Sequence, residues 1–140
     1  MMQRGVLAGG TIILLSFMLI FSKPIAAQTQ DENLQSIRAA VMQAIGAEDH
    51  SVEVSVAGKV LIVARINSTM NEAGHGARDG EASRIAPVVS TVFADKPEFK
   101  SIHTIRVQYL SRSKPNGSDK IIDTVDFRKD PSGVFSLHTT

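Results

Sequence analysis

Two alternating runs around one short turn constrain this chain more than any other stretch. In "IHTIRVQYLSR", Ile105, Val107 and Tyr109 share a face with His103; in "KIIDTVDFRK", Ile121, Val125 and Phe127 share a face with Asp123. Side chains alternate across a strand, so a one-residue slip in pairing carries every side chain to the wrong face. A two-residue Asn116-Gly117 hairpin sets Val107 opposite Asp126 and mixes the faces. A three-residue Pro115-Asn116-Gly117 loop sets Val107 opposite Val125 and Ile105 opposite Phe127. It also sets Arg106 opposite Asp126, a favourable cross-strand pair. Proline suits the second position of a type I turn, and glycine the left-handed position that follows. The face-matched register is therefore expected. Asp130-Pro131-Ser132-Gly133 is a second turn, after which "VFSLH" returns as a short last strand.

Upstream, Leu34, Ile37, Val41, Ala44 and Ile45 recur at helical spacing, which predicts a helix over 31–46 with Gly46 as its C-cap. Thr29 with Glu32 has capping-box spacing, and Asp31 is a rival cap. Val52, Val54 and Val56 alternate with Glu53 and Ser55 as a half-buried strand. Ala57-Gly58-Lys59 is a tight turn, and Val60–Val63 is apolar on both faces, as in a strand interior to a sheet. Ala82, Ile85, Val88, Val89 and Val92 predict a second helix over 79–94, kinked at Pro87. Residues 68–78 read as loop because Gly74, Gly76 and Gly80 each cost a helix about 1 kcal/mol relative to alanine. Thr69 and Glu72 offer an earlier start. The order αββαβββ predicts an α+β fold of two layers, two helices on one face of a mainly antiparallel sheet.

The N-terminal part is of another kind. Arg4 precedes an uncharged apolar run from Val6 to Phe21, closed by Lys23-Pro24 and "IAAQ". That is the layout of a secretory signal, with the cut expected after Ala27. The rival reading is an uncleaved membrane anchor, against which the run of about 16 residues falls short of the roughly 20 that span a bilayer. Residues 1–27 are thus read as a signal peptide and 28–140 as a single domain of an exported protein, periplasmic or secreted. Of 15 Lys plus Arg, Arg4 and Lys23 leave with the signal, so 13 basic against 14 acidic residues give the remainder a net charge of −1. That balance does not supply the dense basic patch that nucleic-acid binding needs. Cysteine is absent, so disulfides, thiol catalysis and thiolate-ligated zinc are excluded.

Chemistry-bearing residues fall in two places. "NEAGHGARDG" packs Glu72, His75, Arg78 and Asp79 among glycines, and functional groups often sit on such loops. A Glu–His or His–Asp pair there could do acid–base work. The loop matches neither the phosphate-binding GxxxxGK[ST] pattern nor a strand-fed GxGxxG. Asp123 falls on the apolar face opposite Tyr109, where a buried acid needs a partner: the Tyr109 hydroxyl, Lys129 or a helix residue. His103 is the third member of that grouping. No two of His50, His75, His103 and His138 have zinc-site spacing, so neither metal nor cofactor is expected.

Residues 34–110 resemble a BON domain, a small module of secreted bacterial proteins, in "VEVSVAGKVLIVARI", "EASRIAPVV" and "FKSIHTIRVQYL". Gly58, Val60, Ala82, Ile85 and Ala86 are the matching positions. Ala64 stands where the family has a second hairpin glycine, no Gly-Val precedes the third strand, and 68–78 and the last 30 residues are additions. The resemblance implies contact with envelope components or phospholipid surfaces. The function expected is that of a non-catalytic envelope binding module, with His75, Arg78, Asp79, Tyr109 and Asp123 as candidate binding residues. Its partner would be an envelope protein or a membrane surface. The alternative is a small hydrolase or ligand-binding domain using the same polar groups.

Overall fold

The computed structural model of the chain describes residues 25–113 and 117–139. Residues 1–24, which hold most of the expected signal segment, and the expected turn residues Pro115 and Asn116 lie outside them. The chain divides into two units at Asp31/Glu32, and the second holds the sheet. Among the described residues no helix is long and apolar enough to cross a membrane.

Helix α1 is Ile25–Ile45. It begins before Thr29 and Asp31, so neither caps its start; the stretch after Pro24 contains no glycine or proline to interrupt it. Its end is as expected. Gly46 takes φ +64°, and the Ala47 amide donates to Met42 O at 3.0 Å, a Schellman closure. Strands β1 (Val52–Ala57) and β2 (Val60–Ile66) form an antiparallel hairpin. Gly58 is at φ +60° and Lys59 at negative φ, the type II′ arrangement that matches strand twist.

Helix α2 runs His75–Phe93, four residues earlier than its apolar stripe predicts. The glycine cost is outweighed by tertiary contacts of the first turn, where His75 and Arg78 meet Asp123. Thr69–Asn71 forms a 3-10 turn, capped by Ser68 Oγ accepting the Met70 amide. Pro87 lies on the exposed side of α2, and the helix continues past it to Phe93.

Strands β3 (Thr104–Arg112), β4 (Asp119–Lys129) and β5 (Phe135–His138) complete a five-stranded sheet in sequence order. All neighbours are antiparallel except β2 and β3, whose parallel pairing needs the crossover that α2 provides. The fold is α+β, with two helices packed on a mainly antiparallel sheet. Ile37 and Val41 of α1 and Ala82, Ile85, Val89 and Phe93 of α2 are buried with Leu61, Val63, Ile105, Val107, Val125 and Phe127. Each large member contributes about 1.5–3 kcal/mol by leaving water.

The β3–β4 register is the face-matched one over Thr104–Tyr109, with Val107 opposite Val125 and Arg106 opposite Asp126. Arg106 Nε and Nη2 bind the two Asp126 oxygens at 2.8 and 2.9 Å. Beyond Tyr109 the pairing shifts by one: Leu110 faces Ile121 and Ile122 is the extra residue of a β-bulge. Ile121, expected on the inner face, is carried to the outer face and is 57% exposed. There it neighbours a small second cluster of Ala64, Ile66 and Leu110.

Candidate functional site

The two groups of polar residues picked out separately in the sequence meet in space. The first turns of α2 lie over the bulged part of the β3–β4 pair, and Asp123 is where they join. Arg78 Nε donates to Asp123 Oδ2 at 2.8 Å, and His75 Nδ1 lies 2.6 Å from the same oxygen. The Thr124 amide donates to Asp123 Oδ1 at 2.8 Å. Arg78 Nη1 also donates to the carbonyls of Met70 and Ala73, which fastens the loop before α2 onto its first turn. His75 Nε2 lies 3.4 Å from Asp79 Oδ2, one helical turn on.

Asp123 therefore finds its partners on the helix. Neither Lys129 nor the Tyr109 hydroxyl serves, because Tyr109 points further along α2. Its hydroxyl lies 3.0 Å from Arg78 O, to which it donates, and 3.2 Å from Glu81 Oε1. Glu81 in turn holds Arg65 through Nε–Oε1 at 2.9 Å and Nη2–Oε2 at 3.3 Å, and Arg65 Nη2 donates to Ser68 Oγ at 3.0 Å. Both members of this ion pair are buried, Arg65 at 7% and Glu81 at 5% exposure. His103 is left out of the cluster. It precedes β3 at the opposite end from Tyr109, about 20 Å away by strand rise, with its amide on Lys59 O.

Arg65 and Glu81 escaped the sequence reading, though a signal was present. Arg65 follows Leu61 and Val63 at strand spacing, and Glu81 precedes Ile85 by one helical turn, so each occupies a core position with a charge of opposite sign. A charge at a core position requires a partner.

The electrostatics follow from these contacts. Burial pushes the Asp123 carboxyl up, but hydrogen bonds from Arg78 and His75 outweigh it and hold it below the usual range. The hydrogen bond to Asp123, followed by the charges of Asp123 and Asp79, raises His75 above its ordinary 6.5. Burial, aided by the neighbouring Glu81 carboxylate, raises Tyr109 far above its ordinary value, so its hydroxyl stays protonated.

His75 is the exposed member, with 64% of its side chain accessible. With Asp79, Thr124, Leu137 and Thr139 it lines a surface pocket of about 160 Å³. Asp79 Oδ1 is buried beside it without a hydrogen-bond donor among the described residues. No group of three His, Asp or Glu side chains among those residues could hold a metal ion. Comparison with protein families finds no match for this chain, and comparison with curated proteins finds none either.

Proposed function

We propose that the chain is a non-catalytic binding module exported to the cell envelope, and that the His75–Asp79 end of α2 is its contact surface. The observation that carries this reading is the exposed His75 imidazole, set between the Asp79 and Asp123 carboxylates at a small pocket. The groups that a partner can reach there, the His75 imidazole and the partly exposed Asp79 carboxylate, favour a partner that brings hydrogen-bonding or charged groups. The rest of the cluster supports binding over turnover. Arg78, Tyr109 and Asp123 are engaged with one another or with backbone carbonyls, so they fix His75 and Asp79 in place. The signal-like N-terminus and the BON resemblance support an envelope partner, a protein or a lipid headgroup surface.

The test is retention of envelope components by the immobilised chain. The double change His75→Ala and Asp79→Ala is expected to weaken retention while, on the alkaline side of the His75 titration, thermal stability stays nearly unchanged, since Arg78 still holds Asp123. Retention unaffected by the double change sinks the site. A second reading rests on the 2.6 Å His75–Asp123 contact, which orients an imidazole as a general base requires. Turnover of an ester or amide substrate, lost on His75→Ala, would establish that reading instead.

A further inference from the structure

We infer that the chain self-associates through β1, two copies joining their sheets edge to edge across a two-fold axis at Ser55. In a type II′ hairpin the pair closing the two-residue loop, here Ala57 and Val60, exchanges hydrogen bonds. Antiparallel pairs alternate between hydrogen-bonded and non-bonded. Glu53, Ser55 and Ala57 therefore bond to β2, while Val52, Val54 and Val56 turn their amides and carbonyls away from the sheet. One contact verifies the phase: Val52 O accepts from Arg38 Nε of α1 at 2.8 Å, outside the β1–β2 ladder.

Val54 and Val56 are left with outward donors and acceptors on an edge strand that has no proline, no lysine and no bulge. Such devices, with other charges, short strands and helix cover, blunt an edge; β1 has Glu53 and the Arg38 contact at Val52, both at its start, which leaves Val54 and Val56 open. The opposite side of the sheet uses them: β5 is four residues long, and the uncovered part of β4 carries the bulge and Lys120. The core is also incomplete at β1. Val54 and Val56 are only half-buried, whereas Leu61, Val63, Ile105 and Val107 behind them are fully covered.

A second copy of β1 fits this edge in a register centred on Ser55. Antiparallel pairing of Val54 with Val56 of the other copy, and the reverse, forms four backbone hydrogen bonds and keeps valine against valine on the inner face. Ser55 then lies opposite its own copy on the outer face. Glu53, the single charge on β1, lies opposite Ala57 of the other copy, so no like charges meet. Centring the pair on Val54 instead would need Val52 O as an acceptor, and Arg38 already occupies it.

Cysteine is absent from the chain, so Ser55→Cys in the full chain introduces a single thiol. Across the axis two such thiols sit in a non-bonded antiparallel pair, with Cα atoms about 4.5 Å apart, within disulfide reach. Under mild oxidation S55C is expected to form a covalent dimer about tenfold faster than E53C, whose Cα atoms would lie beyond the roughly 7 Å limit. Light scattering of the unmodified chain should give a dimer. Val56→Pro removes an outward amide and leaves the β1–β2 ladder intact, so it should give a folded monomer by circular dichroism and light scattering. An unmodified chain that is monomeric, or S55C and E53C cross-linking at equal rates, overturns the inference. A Val56→Pro chain that stays folded and dimeric does so too.

Discussion

Replacing Glu81 by alanine is the most informative perturbation of this fold. Glu81 and Arg65 are both at least nine-tenths buried, and their carboxylate–guanidinium contact is bidentate. Truncating Glu81 leaves the guanidinium in the core with Ser68 Oγ as its remaining partner. Breaking a buried pair from one side costs about 3–5 kcal/mol, because the surviving charge is uncompensated. Tyr109 contributes little to the loss, since its hydroxyl keeps Arg78 O. Against a typical domain stability of about 5–15 kcal/mol, Glu81→Ala should remove roughly a fifth or more. Urea unfolding followed by circular dichroism reads this directly: with a slope of about 1–3 kcal/mol per molar, the midpoint should fall by more than about 1 M. The double change Arg65→Met with Glu81→Leu removes both charges and fills similar volume, and should recover most of the loss. A single change costing under about 1 kcal/mol would refute the reasoning. So would a double mutant no better than the single, because the penalty would then not come from an orphaned charge.

The His75–Asp123 contact should make stability depend on pH. Because His75 is raised in the folded state, its contribution is complete below its unfolded value of 6.5 and is lost as pH rises through the raised value. Asp123 is lowered, so its contribution is complete above its unfolded value and is lost as pH falls through the lowered one. The stability difference between the parent chain and His75→Ala should therefore be greatest in mildly acidic solution and vanish on the alkaline side; a difference independent of pH would refute the assignment. Exchanging Arg106 and Asp126 should shift the urea midpoint by the equivalent of about 0–1 kcal/mol, since the pair is partly solvated on the outer face.

The candidate site was legible in pieces. The sequence marked His75, Arg78 and Asp79 by their crowding among glycines, and Tyr109 with Asp123 by an acid on an apolar face. That these are one cluster depends on where α2 lands on the sheet, which no local pattern encodes. Arg65 and Glu81 lie 16 residues apart in the chain, on different elements. Each alone looks like a fault in an apolar pattern, and together they satisfy each other.

By itself the sequence determined what periodicity and turn chemistry can reach. Valine and isoleucine alternation made the strands, and face matching chose the Val107–Val125 register. Gly46 and Gly58 ended a helix and turned a hairpin because they reach positive φ at little cost. Tertiary structure decided the rest. The bulge at Ile122 arises where Asp123 must stay inward to meet Arg78 while Ile121 turns outward beside Leu110. Helix α2 starts at His75, against its glycines, because Arg78 and His75 are held by Asp123 and by the loop carbonyls. The parallel β2–β3 pair exists because α2 carries the chain back across the sheet. In each case the deciding energy comes from groups distant in sequence, and local propensities of about 1 kcal/mol or less give way to it.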